Sequence, residues 1–142
     1  MITNFDTPIV KGGSFNWREY CLLKGFNKLA QPDVKQHANA IFLFIELQKL
    51  RNALGKPLTI TSGARTMEYT LWLRKQGIPA ALKSAHLDWQ AVDLAPPVGM
   101  TQKQFWDFCR KHWPGRLENW QATPTWVHLD TRNWGLRQTF NP

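Results

Sequence analysis

The segment from Asp33 to Leu54 limits more than any other what this chain can fold into. Its apolar residues recur at helical spacing, at Val34, Ala38, Ile41, Phe42, Ile45 and Leu54. Asp33, after Pro32, suits the N-cap of a helix, and Gly55 suits its termination. The pattern predicts one long core helix against which the remaining, shorter elements must pack.

Shorter segments with helix and strand signals follow this helix. Predicted helices cover 66–76 and 101–112, and predicted strands cover 57–61, 90–95, 116–121 and 126–131. Thr101 and Gln104 form the capping box that opens the second of these helices. This order predicts a small α+β fold, a single domain over residues 1–142, with an antiparallel sheet and flanking helices. The first thirty residues and the last ten carry no clear signal.

The composition is that of an ordinary globular protein, with 43% hydrophobic and 20% charged residues. No stretch approaches the roughly 20 apolar residues of a membrane span, and the N-terminus does not resemble a signal peptide. We therefore expect cytoplasmic synthesis without a signal peptide, so that action on an external substrate would require export or release. Cys21 and Cys109 are expected to be reduced, partly buried thiols rather than a disulfide.

The formal net charge of +8 predicts attraction to polyanions, such as nucleic acid, an anionic membrane or an anionic cell wall. The basic residues are scattered along the chain, and no nucleic-acid-binding motif is present. A solvated basic surface on a monomer is therefore the favoured interpretation. A basic nucleic-acid-binding protein is the alternative that charge alone supports.

Two histidines and one aspartate form a candidate metal site. His86 lies seven residues before Asp93, which falls in the predicted strand 90–95, and His128 lies in the strand 126–131. Two imidazoles and a carboxylate suit Zn²⁺, and three protein ligands leave a fourth tetrahedral position open for water, as in catalytic sites. Such a set also arises by chance, so these residues alone do not establish a metal site.

Three separate motifs resemble those of a known family. They are Ser62-Gly63-Ala64-Arg65, then Ser84, His86, Ala91 and Asp93, then Trp126-Val127-His128. In order and spacing they are similar to the motifs of the hedgehog-like zinc D,D-peptidases. That family includes VanY-type D-alanyl-D-alanine carboxypeptidases and phage L-alanyl-D-glutamate endolysins. The resemblance covers about residues 25–132 and implies the hedgehog/D,D-peptidase fold.

The resemblance implies a role for each matching residue. His86, Asp93 and His128 would bind zinc, Arg65 would hold a substrate carboxylate or carbonyl, and Ser84 would support it by hydrogen bonding. A guanidinium fork matches a carboxylate in two-point contact, and zinc polarises a carbonyl and acidifies water. The implied substrate is a peptidoglycan stem peptide in an anionic cell wall, cut by a carboxypeptidase or an endolysin. Neither the bond cut nor a phage origin follows from the sequence.

Two positions depart from the family pattern. Trp89 stands where the family has glycine between the first two ligands, so we expect a loop without a glycine-only conformation and a Trp89 side chain packed in the core. Thr125 stands three residues before His128, where many relatives have an acid that serves as general base. These departures leave open a noncatalytic zinc-binding module of the same fold.

Glu118 and Asp130 are the remaining candidates for the general base. If the hairpin turns about Thr123 and Pro124, alternation puts Asp130 on the face of His128 and Glu118 on the opposite face, whereas a one-residue shift of register would reverse Glu118. Asp130 could equally orient the ligand His128. Between the two we favour Glu118 as the base.

Overall fold

A computed structural model describes residues 1–142. Its α-helices are α1 (Trp17–Cys21), α2 (Val34–Leu54), α3 (Met67–Lys75) and α4 (Gln102–His112). Its strands are β1 (Leu22–Leu23), β2 (Lys28–Leu29), β3 (Thr59–Ser62), β4 (Ala91–Ala95), β5 (Arg116–Glu118), β6 (Val127–Asp130) and β7 (Thr139–Phe140). A short 3-10 helix, Trp120–Ala122, lies between β5 and β6.

Five strands form one sheet in the order β3-β4-β6-β5-β7. The pairs β3–β4, β4–β6 and β5–β6 are antiparallel, whereas β7 joins the edge next to β5 in parallel. The strands β1 and β2 form a separate antiparallel hairpin. The predicted α+β class is confirmed, and the parallel edge strand comes from the C-terminal residues that the sequence left unassigned.

The long helix α2 begins and ends where the sequence predicts. Asp33 and Gln36 form a capping box, and Gly55 terminates the helix in the left-handed region at φ 71°. The predicted core face is wrong, however, because Val34 is 90% exposed and Phe42 is 40% exposed. The buried face consists of Ala40, Leu43, Phe44, Leu47 and Leu50. Because the middle of this helix is apolar nearly all round, spacing alone did not identify the buried side.

The other predicted elements are present with shorter bounds. Thr66 caps α3, and the capping box of Thr101 and Gln104 opens α4. The two C-terminal predicted strands shrink to 116–118 and 127–130 because the chain between them forms the 3-10 helix and its flanking loop. This loop, residues 119–126, sets the register of β5 on β6.

The N-terminal segment packs directly against the strands that carry the candidate site. Tyr20 is fully buried, its hydroxyl donates to the Ala91 carbonyl (3.1 Å), and its own carbonyl accepts from the Ala64 amide (2.8 Å). A Cβ at Gly63 would lie 2.2 Å from the Tyr20 oxygen, so only glycine fits there. The first thirty residues therefore help to fix the chain that follows β3.

The cysteines and most of the tryptophans lie in the core or pack against it. Cys21 and Cys109 form no disulfide, as predicted, and both are fully buried rather than partly buried. All eight tryptophans are buried or half-buried. None of the helices has the combination of length and hydropathy that crossing a membrane requires.

Candidate metal centre

Two neighbouring strands and the turn before them bring the three predicted ligands together. Asp93 on β4 lies opposite His128 on β6, and His86 comes from the turn that leads into β4. The Asp93 Oδ1 atom is 2.8 Å from His128 Nδ1 and 3.3 Å from His86 Nε2. All three residues are buried, and their ligand atoms lie within 4.8 Å of one another.

Backbone contacts fix the ring of His86. Its Nδ1 lies 2.7 Å from the Gly63 carbonyl oxygen, which can only accept, so Nδ1 carries the hydrogen and Nε2 is free to bind a metal. The His86 amide donates to Ser84 Oγ (3.1 Å), and the His86 carbonyl accepts from the Arg65 amide (3.2 Å). The motif Ser62-Gly63-Ala64-Arg65 and the motif that contains Ser84 therefore meet in hydrogen bonds around the His86 imidazole.

A buried carboxylate fixes the ring of His128 through its other nitrogen, Nε2. His128 Nε2 lies 3.0 Å from Asp130 Oδ2, which leaves Nδ1 facing Asp93. Arg116 contacts both oxygens of Asp130, with Nε at 3.0 Å and Nη2 at 2.9 Å, and the Arg132 amide donates to Oδ1 (3.1 Å). Asp130 is fully buried. Its oxygens are thus already engaged, and the geometry gives it an orienting contact to His128.

The pKa values of the three ligand groups diverge. Burial lowers the pKa of His86, although Asp93 partly opposes this. Burial also disfavours the charged form of His128, but hydrogen bonds to Asp130 and Asp93 outweigh it and raise the pKa of His128 to about 9. The pKa of Asp93 is lowered, because the two histidines overcome the opposing effect of burial. The carboxylate is therefore ionised and His86 neutral at neutral pH, as metal ligation requires.

The structure places Glu118 on the face of His128. Arg116 pairs with Asp130 and Leu117 with Leu129, so the same register puts Glu118 opposite His128. The placement of Glu118 on the opposite face, expected for a turn about Thr123 and Pro124, is wrong, and the one-residue shift is the observed arrangement. The carboxyl is half-buried, and burial raises its pKa. A raised pKa suits a general base that must release its proton again.

Arg65 and Ser84 lie beside the metal centre on the wall of an open cleft of about 550 Å³. Arg65 Nη2 donates to Ser62 Oγ (3.1 Å), while its Nε is buried without a partner. Ser84 makes no hydrogen bond with Arg65; its hydroxyl accepts from the His86 amide, and the hydroxyl hydrogen stays available to donate to a ligand. Arg65 Nη1 makes no hydrogen bond and is free for a ligand, whereas Ser84 holds the turn that carries His86.

The two departures from the family pattern have different outcomes. Trp89 adopts φ 58°, in the left-handed region, so the expectation that this residue avoids the glycine-type conformation is wrong. Its side chain is fully buried and packs edge-on against Tyr20, as expected for a core residue. Thr125 is exposed in the loop before β6, and its hydroxyl cannot serve as the base.

Arg116 and Gly63 are functional neighbours that the sequence reasoning did not identify. Arg116 neutralises the buried Asp130, and the Gly63 carbonyl sets the ring orientation of His86. Gly63 was visible within the motif but had no assigned contact. Nothing in the sequence linked Arg116 to Asp130, because that contact depends on the register of β5.

The residues present fit a zinc ion. Two imidazole nitrogens and one carboxylate oxygen are the donors of an open zinc site, and each ring is oriented by an acceptor on its far nitrogen. His86 would offer Nε2, His128 Nδ1 and Asp93 Oδ1. The remaining histidines lie elsewhere: His37 stacks on Trp17, and His112 stacks on Phe108.

Comparison with known proteins agrees with this geometry. The family model described as Peptidase M15 matches residues 15–130, a range that contains every residue of the candidate centre. No curated protein sequence matches the chain. The three motifs, the paired histidines with their buried aspartate and the extent of the match lead to one conclusion: the chain belongs to the peptidase M15 family, the zinc D,D-peptidases, and is a metallopeptidase.

Proposed function

We propose that this protein is a zinc-dependent hydrolase of peptidoglycan stem peptides. The observation that carries the proposal is the pair of buried histidines, each with one ring nitrogen held by an acceptor and the other turned toward Asp93. An orienting contact behind each ligand is what an open catalytic zinc site needs. Zinc, when bound, supplies Lewis acidity that polarises the scissile carbonyl and acidifies a water molecule.

In this proposal the protein side chains position the substrate and move one proton. Arg65 binds a carboxylate or carbonyl of the peptide through Nη1, which has no protein partner, and through the second hydrogen of Nη2. Glu118 accepts the proton of the attacking water and delivers it to the leaving amine. Asp130 and Arg116 hold His128 in its ligating orientation throughout.

The excess of basic residues supports action on an anionic cell wall. Six acids lie in ion pairs with lysine or arginine, yet the formal charge remains +8. Such a surface favours association with a polyanion. We propose that the protein works as an endolysin of phage or prophage origin and reaches the wall after release or export. Either an endopeptidase or a carboxypeptidase is compatible with the site.

Zinc content and digestion products test the proposal together. Protein purified without chelator should contain one zinc per chain and should clear a suspension of purified walls, and mass spectrometry of the digest should show stem peptides cut at one bond. His86→Ala is the matched control and should lose both zinc and activity. Intact walls after incubation with fully zinc-loaded protein would contradict the proposal.

A noncatalytic zinc-binding module is the second candidate, and Thr125 is the observation that favours it. If the protein binds one zinc per chain but cuts neither walls nor isolated stem peptides, this second function replaces the first. Substoichiometric zinc after supplementation would exclude both.

A further inference from the structure

The open cleft beside the metal centre extends well past Arg65. The loop 82–88 and Arg132 form much of its wall, together with Met67 at the start of α3. Arg65 and Ser84, which bond to the backbone of His86, connect this cleft to the metal centre. A peptide held at the metal would therefore have adjacent residues in the cleft.

The charges of the cleft are unbalanced. Arg65, Lys83 and Arg132 line it together with a single acid, Asp88. Arg132 Nη2 forms an ion pair with Asp88 Oδ2 (2.8 Å), so these two charges offset each other. The Arg65 guanidinium donates only to the neutral Ser62 hydroxyl, and Lys83 lies in no ion pair. Two cations thus remain without a carboxylate partner inside one cleft.

The backbone that carries Lys83 is held in place by neighbouring side chains. Arg132 Nη1 donates to the Lys83 carbonyl (3.2 Å), Gln36 Nε2 to the Leu87 carbonyl (3.0 Å) and Asn39 Nδ2 to the Asp88 carbonyl (2.9 Å). These contacts tie the loop to the residues that follow β6 and to α2. The lysine is therefore presented on a fixed backbone, which reduces the entropy lost on binding.

Apolar side chains complete the wall. Met67 and Leu82 line the cleft, and each is 47% exposed. These two apolar side chains suit a small aliphatic residue of a peptide, and the two unpaired cations suit acidic groups next to it. The same cations disfavour a basic peptide.

We propose that this cleft recognises a second carboxylate of the substrate and that Lys83 determines the preference. Arg65 binds one carboxylate or carbonyl near the scissile bond, and Lys83 pairs with a further free carboxylate on a neighbouring residue. The preferred substrate is then a stem peptide that keeps this carboxylate rather than the same peptide with a carboxamide there. This inference rests on the proposed peptidase function and adds the substrate class to it.

A matched pair of peptides tests the inference. The two stem peptides differ only in a carboxylate or a carboxamide on the residue flanking the scissile bond. Because exposed ion pairs contribute modestly, zinc-loaded protein should cut the acid with about fivefold higher kcat/KM, chiefly through KM. The ratio should shrink as salt is added, since screening weakens exposed charge pairs. Lys83→Gln should bring the ratio close to one.

Lys11→Gln is the control for loss of one positive charge. Lys11 lies far from the cleft. Its turn contacts Gln48 of α2 through Gly13, whereas the cleft contains Gln36 of the same helix. Twelve residues separate Gln36 from Gln48, which is about 18 Å at 1.5 Å per residue. This variant should keep the wild-type ratio. If wild type cuts both peptides equally, or if Lys83→Gln keeps the preference, the inference is wrong.

Binding of non-hydrolysable analogues separates this inference from the proposed function. The same two peptides, with the scissile amide reduced to an amine, are titrated calorimetrically into zinc-loaded wild-type protein. Tighter binding of the acid without any cleavage of the parent peptides would support the cleft and contradict the peptidase. Cleavage of both peptides at equal rates would support the peptidase function and contradict the proposed cleft. If the protein neither binds the analogues nor cleaves the parent peptides, both proposals are wrong.

Discussion

Glu118 and Asp130 are two carboxylates beside the same imidazole, but their surroundings differ. Asp130 is fully buried and contacts His128, Arg116 and the Arg132 amide. Glu118 is half-buried, its backbone carbonyl accepts from Trp106 Nε1 (2.8 Å), and its carboxyl oxygens make no hydrogen bond or ion pair. A base needs a free oxygen lone pair and access to water, so these environments support the proposal that Glu118 transfers the proton and that Asp130 orients His128.

Replacing each acid by its amide should separate these roles. Glu118→Gln should lower kcat by about 10²–10⁴ while zinc stays bound, because general-base assistance contributes that order of rate. Asp130→Asn should instead weaken zinc affinity by about 10–100-fold, because the orienting partner of a ligand histidine is lost. Activity and bound zinc are measured on the same samples. Full activity of Glu118→Gln at saturating zinc would refute its assignment as base.

Trp89 combines a strained backbone with a large buried side chain. The left-handed conformation costs a non-glycine residue about 1–2 kcal/mol, whereas truncating a buried tryptophan costs about 3–5 kcal/mol. The stabilisation from burying the Trp89 side chain therefore exceeds the cost of its backbone conformation. Trp89→Gly, which restores the family residue, should lower the free energy of unfolding by about 2–3 kcal/mol in urea titrations.

Asn27→Gly is the matched control for the backbone contribution. Asn27 has φ 54°, close to that of Trp89, but its side chain is exposed. Its replacement should change stability by less than about 0.5 kcal/mol, because no buried surface is lost. Equal effects of the two substitutions would mean that the Trp89 side chain contributes nothing to stability.

The site residues could be predicted from the sequence where a motif fixed them and not where strand register did. The spacing of His86, Asp93 and His128 within three ordered motifs was enough to bring them together. The face of Glu118 depends on whether the turn centres on Thr123 or between Thr123 and Pro124, which changes the strand register by one residue. Because side chains alternate between the two faces of a strand, a one-residue change moves Glu118 to the opposite face. Local sequence does not resolve a difference that small.

Among the elements, the loop 119–126 depends on one side chain from α4. Gln102 Nε2 lies within hydrogen-bond distance of the carbonyls of Trp120 (3.0 Å), Thr123 (2.7 Å) and Trp126 (3.2 Å). These carbonyls belong to the loop that joins β5 to β6. The helix thereby holds the connection whose length sets the position of Glu118 relative to His128.

Gln102→Leu should loosen this connection. Loss of the hydrogen bonds to partly buried carbonyls should destabilise the fold by about 1–3 kcal/mol. It should also reduce kcat at unchanged zinc content, because Glu118 is no longer held against the metal centre. Stability, zinc and kinetics are measured together. Gln121→Leu, an exposed position in the same loop, is the control and should leave all three near wild type.

The helix α2 illustrates a different limit of sequence reasoning. Its caps, Asp33 and Gly55, are local signals and were identified correctly. Its buried face was not, because the central run Ile41-Phe-Leu-Phe-Ile45 offers apolar residues on several sides. Leu43 and Phe44 are the residues of this run that are buried in the core. Phe42 instead contacts Trp134 edge-on, near the C-terminal end of the chain. Tertiary partners distant in sequence thus decided the face.

For the whole molecule, the α+β class followed from the order of helices and strands, while the sheet edge did not. The strand β7 has only two residues, Thr139–Phe140, and pairs in parallel with β5 across a long separation in sequence. Arg116 stacks on the Phe140 ring at 4.1 Å, which connects this edge to the ion pair behind His128. A two-residue strand has no periodicity from which it could be predicted.

The proton on His128 links zinc binding to the stability of the whole molecule. Hydrogen bonds to Asp130 and Asp93 raise its pKa from the ordinary value of 6.5 to about 9 in the folded, metal-free protein. Since the folded pKa is the higher one, this proton stabilises the metal-free fold fully below pH 6.5, and the stabilisation is lost as pH rises through 9. The difference corresponds to an order of about 3 kcal/mol.

Zinc affinity should therefore rise with pH over the window in which metal-free stability falls. Zinc must displace the His128 proton, so its apparent affinity should increase about tenfold per pH unit between pH 6.5 and 9 and level off above. The pKa of His86 is lowered and that of Asp93 is lowered, so neither group competes with zinc for a proton in this range. Competition with a chelator at several pH values measures the affinity, and urea titrations of the metal-free protein measure its stability. Asp130→Asn removes one hydrogen bond that holds the proton and should flatten both slopes. A zinc affinity that stays constant from pH 6.5 to 9 would show that His128 is not a ligand.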